Sequence, residues 1–470
     1  MLCEPGEEPL AIAADNFVVE SRNGNLSLEA WDERRNVARR VVGIASESRG
    51  RLELRIQRFG GRPGILALAD LEKPRNQTLP LRAARQEFRD VFRRFLRRQF
   101  PAHKIEELST EANLEQSLSP VYPRALLRQG TSAWAAIAAP EDAGAADGVL
   151  SFGLIWLDYL RGRERNLAVR GLVLYLPEEY AKTTCLRLRH MNANIADFSA
   201  FLYTEEQDYA ADLRDYGNLD TRLDQCRRRT STAIDESVER LCQIPGIESV
   251  ERNDGELSLR VRGLEFARTA GGRLLAGLET KREISASNFP EAARLARELA
   301  RLRAPDADDR WNPLCLRNRE LWLESQVRAE LNEIEATLAK TPVYGQVPAF
   351  AAAERGVIDL LAADTGGRLA VIELKAAEDI HLPLQALDYW MRVQWHAERG
   401  EFSARGYFPG IELRRGPPRM LLVSPSLEIH PTNERILRYL SPSIDIEHIG
   451  VGIEWQKKLK VMFRVRRPCP

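Results

Sequence analysis

Closely spaced cysteine pairs are missing from this sequence. Cys3, Cys185, Cys226, Cys242, Cys315 and Cys469 are scattered with no CxxC among them, which argues against a zinc ribbon and against a disulfide scaffold. A reducing cytoplasm is the expected compartment. Net charge is missing too: 68 Lys plus Arg balance 68 Asp plus Glu, so any nucleic-acid surface must be local. No uncharged apolar run reaches membrane-spanning length. The longest, VLSFGLIWLDYL, runs into Asp158 and reads as a buried element. The opening MLCEPGEEPL has neither a basic n-region nor an apolar h-region, so no secretory signal is expected. No GxGxxG or Walker motif occurs, so the chain does not read as its own motor or helicase. The six histidines show no metal spacing; His381 and His396 are expected in surface or capping roles.

What is present is a multidomain mixture of strands and helices. Residues 1–78 read as an antiparallel β-rich domain, with LAIAADNFVVE, NLSLEAWDE, ARRVVGIAS, RLELRIQR and ILALADL separated by Gly- and Asn-containing turns. Residues 79–236 read as an α/β domain followed by a polar stretch that forms a connecting helix or linker. It opens with a helix over 81–100 that sets Phe88, Phe92 and Phe95 on one face and its arginines on another. A β-meander plus helix is expected over 237–305, with turns at Asn253–Gly255 and Gly271–Gly272 and Asn288 as the helix cap. APDADDRWNP breaks the chain before a final α/β domain over 306–470.

The chemistry concentrates in VIDLLAADTGGRLAVIELK, residues 357–375. With Thr365-Gly366-Gly367 as a hairpin loop, Asp364 faces Arg368 and Asp359 falls across from Glu373. Opposed side chains on one sheet face lie about 5 Å apart at Cβ, and the pleat puts Lys375 on that same face. Two facing carboxylates repel each other unless a cation sits between them. Mg²⁺ takes one or two carboxylates and keeps several waters; a salt-bridged edge hairpin is the plain alternative.

The flanks favour chemistry. Upstream, Leu323, Val327, Leu331, Ile334 and Leu338 form a helical apolar stripe, with Glu320 inside it and Glu324 at its edge. Downstream, Gln385, Tyr389, Arg392 and His396 share a narrow polar stripe on a helix. A helix with an acid, a strand with Asp359, a strand Glu373-Leu374-Lys375 and a helix with Gln385 and Tyr389 resembles the PD-(D/E)xK nuclease superfamily. QALDY matches the QxxxY element of its RecB-like branch. The resemblance covers roughly 311–470 and implies a restriction-endonuclease-like core, a mixed central sheet flanked by helices. It departs from the pattern in having Ile358, not proline, before Asp359.

The resemblance implies hydrolysis of phosphodiester bonds with Mg²⁺ or Mn²⁺. Asp359, Glu373, the Leu374 carbonyl and a helix acid, Glu324 in preference to Glu320, would be metal ligands. Lys375 would position or activate water, and Gln385 and Tyr389 would support the site or substrate. DNA is the favoured substrate, RNA the second option; no membrane partner is expected, and a homodimer is allowed. A non-cleaving binding module and a ligand-activated effector nuclease are the rival readings. The segment SAWAAIAAPEDAGAADGVLSFGLIWLDYLR also echoes RLAVIELKAAEDIHLPLQALDYWMR, both ending in a Leu-Asp-Tyr helix at 157–159 and 387–389. Aligned by strand, Ala138 stands at Glu373 and Pro140 at Lys375; aligned by helix, Ile155 stands at Gln385. A degenerate nuclease-like domain within 79–236 is the expectation. The C-terminal KKLKVMFRVRRP reads as an edge strand whose basic residues either track phosphates or block edge pairing.

Overall fold

The computed structural model describes residues 2–3, 17–22, 25–31, 36–48, 51–57, 63–69, 78–215, 217–226, 236–252, 254–278, 280–307, 314, 317–351 and 354–466. Those residues form four sheets with helices between them. The first contains β1 (Leu2–Cys3), β2 (Phe17–Arg22), β3 (Asn25–Trp31), β4 (Asn36–Ser48), β5 (Arg51–Gln57) and β6 (Pro63–Ala69). It is wholly antiparallel, and alternation along its strands turns Leu28, Ala30, Val41, Leu54, Ile56 and Leu66 to one side. The start of the expected first long strand, residues 10–16, lies outside the described residues, as does most of the expected break at 304–313.

The second sheet holds β7 (Lys104–Ser109), β8 (Arg124–Gln129), β9 (Ser132–Ala138), β10 (Ala168–Pro177), β11 (Asp197–Tyr203) and β12 (Asp208–Ala210). The Thr78–Gln99 helix lays Phe92, Phe95 and Leu96 on one face. The apolar run noted in the sequence is the Ala143–Arg163 helix, buried on the other face. The polar stretch after β11 adds β12 to this sheet and has no helix over its described residues 204–226, though the Glu236–Cys242 helix opens at its end; it crosses the last domain, where Leu223 enters the core.

The third sheet is a meander of β13 (Ile247–Glu251), β14 (Leu257–Val261), β15 (Leu264–Ala270), β16 (Arg273–Ala276) and β17 (Arg282–Glu283). Gly271 and Gly272 turn β15 into β16 with φ of +58° and +76°, the left-handed pair a two-residue hairpin requires. The expected turn at Asn253–Gly255 keeps its left-handed Gly255, while Asn253 is outside the described residues. Asn288 sits at the N-cap of the Phe289–Leu302 helix without capping it. Its amide instead closes the preceding loop, accepting from Ser285 N at 2.7 Å and donating to Glu283 O at 2.8 Å.

The fourth sheet has β18 (Tyr344–Ala351), β19 (Glu354–Ala363), β20 (Leu369–Leu374), β21 (Arg419–Pro425), β22 (Ile446–Val451) and β23 (Val461–Arg466). The helix expected to carry its stripe through Leu338 ends at Ala329; a single turn, Leu331–Ile334, follows after Glu330. It covers the face bearing Leu360, Ile372 and Leu374. The Leu382–Glu398 helix covers the opposite face.

The second and fourth sheets share one plan. Each runs antiparallel, antiparallel, parallel, parallel, antiparallel along its order. Ala136 and Ala138 under the Thr78–Gln99 helix correspond to Ile372 and Leu374 under the Arg319–Ala329 helix. Ala139 N donates to Tyr175 O as Lys375 N donates to Val423 O. Ile137 therefore occupies the place of Glu373 and Ala139 that of Lys375, one residue earlier than the sequence alignment set them. Arg124, paired with Ile137, occupies the place of Asp359.

Candidate active site

Local turn chemistry fixes the hairpin that carries the two acids. Asp364 N donates to Arg368 O at 2.8 Å, and Asp364 Oδ1 accepts from Gly366 N and Arg368 N, both at 2.8 Å. Gly367 takes φ of +82°, and a Cβ there would strike Glu412 O at 1.9 Å, so only glycine fits. From that turn the pairing Leu361 with Val371 and Leu360 with Ile372 leads to Asp359 beside Glu373. Asp359 Oδ2 accepts a hydrogen bond from Leu374 N at 2.9 Å, across the strand boundary.

The electrostatics follow from burial. Glu373 is 1% exposed and its Oε2 has no hydrogen-bond partner. Burial, then the charge of Asp359, pushes its carboxyl well above the usual range. Asp359 is pushed up to about 7, chiefly by burial and further by Glu320 and Glu324, against the Leu374 hydrogen bond and Lys375. Lys375 Nζ lies 3.5 Å from Glu320 Oε1 and 3.5 Å from Asp379 Oδ2. Burial works to neutralise the ammonium, but Asp379, Glu320, Glu373 and Asp359 together hold it well above its usual value. Lys375 is thus a fixed positive charge among acids.

The helix acid differs from the preferred choice. Glu324 is 2% exposed, and its Oε1 pairs with Arg328 one turn on and with Arg260 at 3.7 Å. Glu320, from the same helix, is the acid paired with Lys375. Gln385 Nε2 donates to Tyr389 Oη at 3.3 Å. Tyr389 is buried, and burial first, then Glu373, raises its phenol. The downstream polar stripe faces inward. His396 is not at the surface: it is 5% exposed, with Nε2 2.9 Å from Thr221 Oγ1 and Nδ1 on Glu401. His381 stands at the N-cap position without capping, its Nδ1 3.0 Å from Ser151 Oγ.

Three contributors escaped the sequence reading. Asp379 follows the Glu-Leu-Lys strand closely enough that its acid could have been noticed. Arg260 reaches Glu324 from the meander, and Arg39 of the first sheet lies 3.7 Å from Glu378 beside the site; neither leaves a local signal. A cavity of about 350 Å³ lies at the other end of the hairpin, lined by Asp364, Arg368, Arg419 and Asp445 among others. Its arginines are paired with Asp445, Glu335 and Glu447, so it has little charge to offer a ligand.

No group of three or more His, Cys, Asp or Glu among the described residues is placed to hold a metal ion. The facing pair still suits a hard cation that accepts two carboxylates and fills its remaining positions with water. The orphaned Oε2 of Glu373 and the upward shift of both acids are what such a charge would relieve. At the free edge, Arg464 of β23 bonds Glu447 at 3.0 Å and Arg466 lies 3.6 Å from Asp445. No protein-family model matches the sequence, and the search of curated proteins found no match.

Proposed function

We propose that the chain is a metal-dependent nuclease that hydrolyses phosphodiester bonds, most readily in DNA, through a restriction-endonuclease-like C-terminal core. The observation that carries this reading is the facing of Asp359 and Glu373 with Lys375 next to them on one strand end. Asp359 and Glu373, with the Leu374 carbonyl, would hold Mg²⁺ or Mn²⁺. Bound there, the ion would supply charge for the attacking and leaving oxygens of the displacement.

The remaining work belongs to the chain's own groups. Lys375, kept cationic by its acid neighbours, would orient the attacking water and offset charge gathering on the phosphoryl oxygens. Glu320 and Asp379 hold its ammonium in place. Gln385 and Tyr389 brace one another near Glu373 and would support the site or the substrate. Burial of the acids keeps bulk water from screening these interactions.

The test is cleavage of linear, supercoiled and single-stranded DNA in Mg²⁺, Mn²⁺ or EDTA, with Asp359→Ala and Lys375→Ala alongside. Cutting that needs metal and disappears in both variants is the expected result. Binding without cutting under any metal would transfer the case to a non-cleaving nucleic-acid module. Cutting of RNA alone would move the substrate while keeping the chemistry.

A further inference from the structure

The two α/β units meet through equivalent parts. The Ala143–Arg163 helix of one packs on the Asn433–Arg438 helix of the other, and Lys182–Leu188 packs on Leu382–Glu398. Asp158 and Asp388, each the centre of a Leu-Asp-Tyr, both take arginines from across the boundary. Arg187 forks onto Asp388, while Arg435 and Arg438 approach Asp158 at 3.7 and 3.8 Å. Between them Asn192 N donates to Tyr439 O at 2.8 Å and Ser441 N donates to His190 O at 2.6 Å. The helix contacts and the backbone pair repeat with the units exchanged, and each aspartate draws an arginine from the other unit, which is the signature of a two-fold interface, here inside one chain.

The two units are not chemically equal. At the places of Asp359, Glu373 and Lys375 the first unit carries Arg124, Ile137 and Ala139. Arg124 is 4% exposed and committed to the carbonyls of Ser119 and Glu111 and to the face of Trp156. A buried guanidinium beside two apolar side chains excludes a cation from that position.

We infer that the chain is a fused pseudo-dimer with a single reaction centre, and that it nicks one strand of a duplex per encounter. This rests on the nuclease reading. The strands of a duplex are antiparallel and related by two-fold axes, so a two-fold enzyme sets one centre on each strand. In this chain the second strand meets a unit with no carboxylate at the places of Asp359 and Glu373. A second copy cannot supply the missing centre through the same surface, because that surface is already filled from within. Each encounter adds one water across one phosphodiester: a new P–O bond forms, one ester P–O bond breaks, and the water's proton passes to the leaving oxygen.

Two readouts test it. Supercoiled plasmid is treated with excess full-length chain and Mn²⁺, and the mass of the chain alone and on a short duplex in Ca²⁺ is measured by light scattering. Open circles should accumulate almost completely before linear product appears, at a rate first order in protein, and one 53.2 kDa chain should sit on each duplex. Linear product from the first time points, a rate that follows the square of concentration, or two chains per duplex would overturn the inference alone. Absence of cutting with every metal would overturn the nuclease reading and this inference with it.

Discussion

Arg187 and Asp388 meet in a two-pronged ion pair across the boundary between the α/β units, Nε to Oδ1 at 2.9 Å and Nη2 to Oδ2 at 2.6 Å. Arg187 is 3% exposed and also holds Asp147 at 2.7 Å. Removing one member of a buried pair strands the other, at a cost of about 3–5 kcal/mol. Arg187→Met should lower the urea midpoint accordingly, and Arg187→Met with Asp388→Leu should recover much of the loss. An unchanged midpoint in the single variant would show the pair to be energetically idle.

Asp359 gives a pH-dependent prediction. Its folded carboxyl titrates at about 7, above its unfolded value near 4, so between those values the folded chain binds more protons. Stability therefore falls as pH rises through that window, by on the order of 2–4 kcal/mol, and the penalty is complete above it. In EDTA, Asp359→Asn should melt higher than the parent at pH 8 and level with it near pH 4. Added Mn²⁺ should raise the parent's Tm and leave the variant's unchanged. Equal melting at pH 8 would remove the argument that these acids strain the metal-free fold.

The two helix acids should separate cleanly. Glu324→Gln removes a buried charge that pairs with the half-buried Arg260 and Arg328 and should cost about 3 kcal/mol of stability. Glu320→Gln touches a half-exposed pair and should change stability by about 0.5 kcal/mol or less. It should nonetheless lower kcat/KM about tenfold, equivalent to about 1.4 kcal/mol of barrier, by releasing Lys375. Urea midpoints and plasmid kinetics on both variants decide the matter; the reverse pattern would make Glu324 the working acid.

The hairpin was legible in the sequence because its information is local. Asp364, Gly366 and Gly367 specify the turn, and alternation from there sets Asp359 beside Glu373. The pairing of Glu324 with Arg328 one turn on is a local signal, but its second partner Arg260 comes from a different sheet and leaves none. The echo between the two units was readable in its Leu-Asp-Tyr helices but slipped by one residue in the strand. Residues Ala133 to Ala138 are apolar with no exposed position, and a strand covered on both faces has no alternation to fix register.

His448 is 1% exposed on β22, with no partner for Nε2, and burial lowers its imidazole to about 4. The unfolded chain binds the proton more readily, so this contribution is intact above about pH 6.5 and lost as pH falls toward 4. Acid should therefore destabilise the parent by about 3 kcal/mol more than His448→Leu across that range, measured by denaturant titration at several pH values. Parallel pH profiles would count against it.

Gly263 carries φ of +78°, and a Cβ there would lie 1.8 Å from Leu321 O on the site's helix. Gly263→Ala should cost more than about 2 kcal/mol by combining backbone strain with overpacking. It should also weaken the Arg260–Glu324 contact and reduce cleavage. A normal melting curve would mean that the meander can shift away from the helix without penalty.

Joining both halves in one polypeptide frees them from having to be self-complementary. In an assembly of identical subunits every substitution strikes twice, so losing an acid in one half means losing it in both. Here each half can drift separately. Arg187 has closed to 2.6 Å on its aspartate, while Arg435 stands off at 3.7 Å and shares its aspartate with Arg438 and the Tyr439 hydroxyl. On the nuclease reading, the same freedom would let one half give up reactivity and keep only its shape.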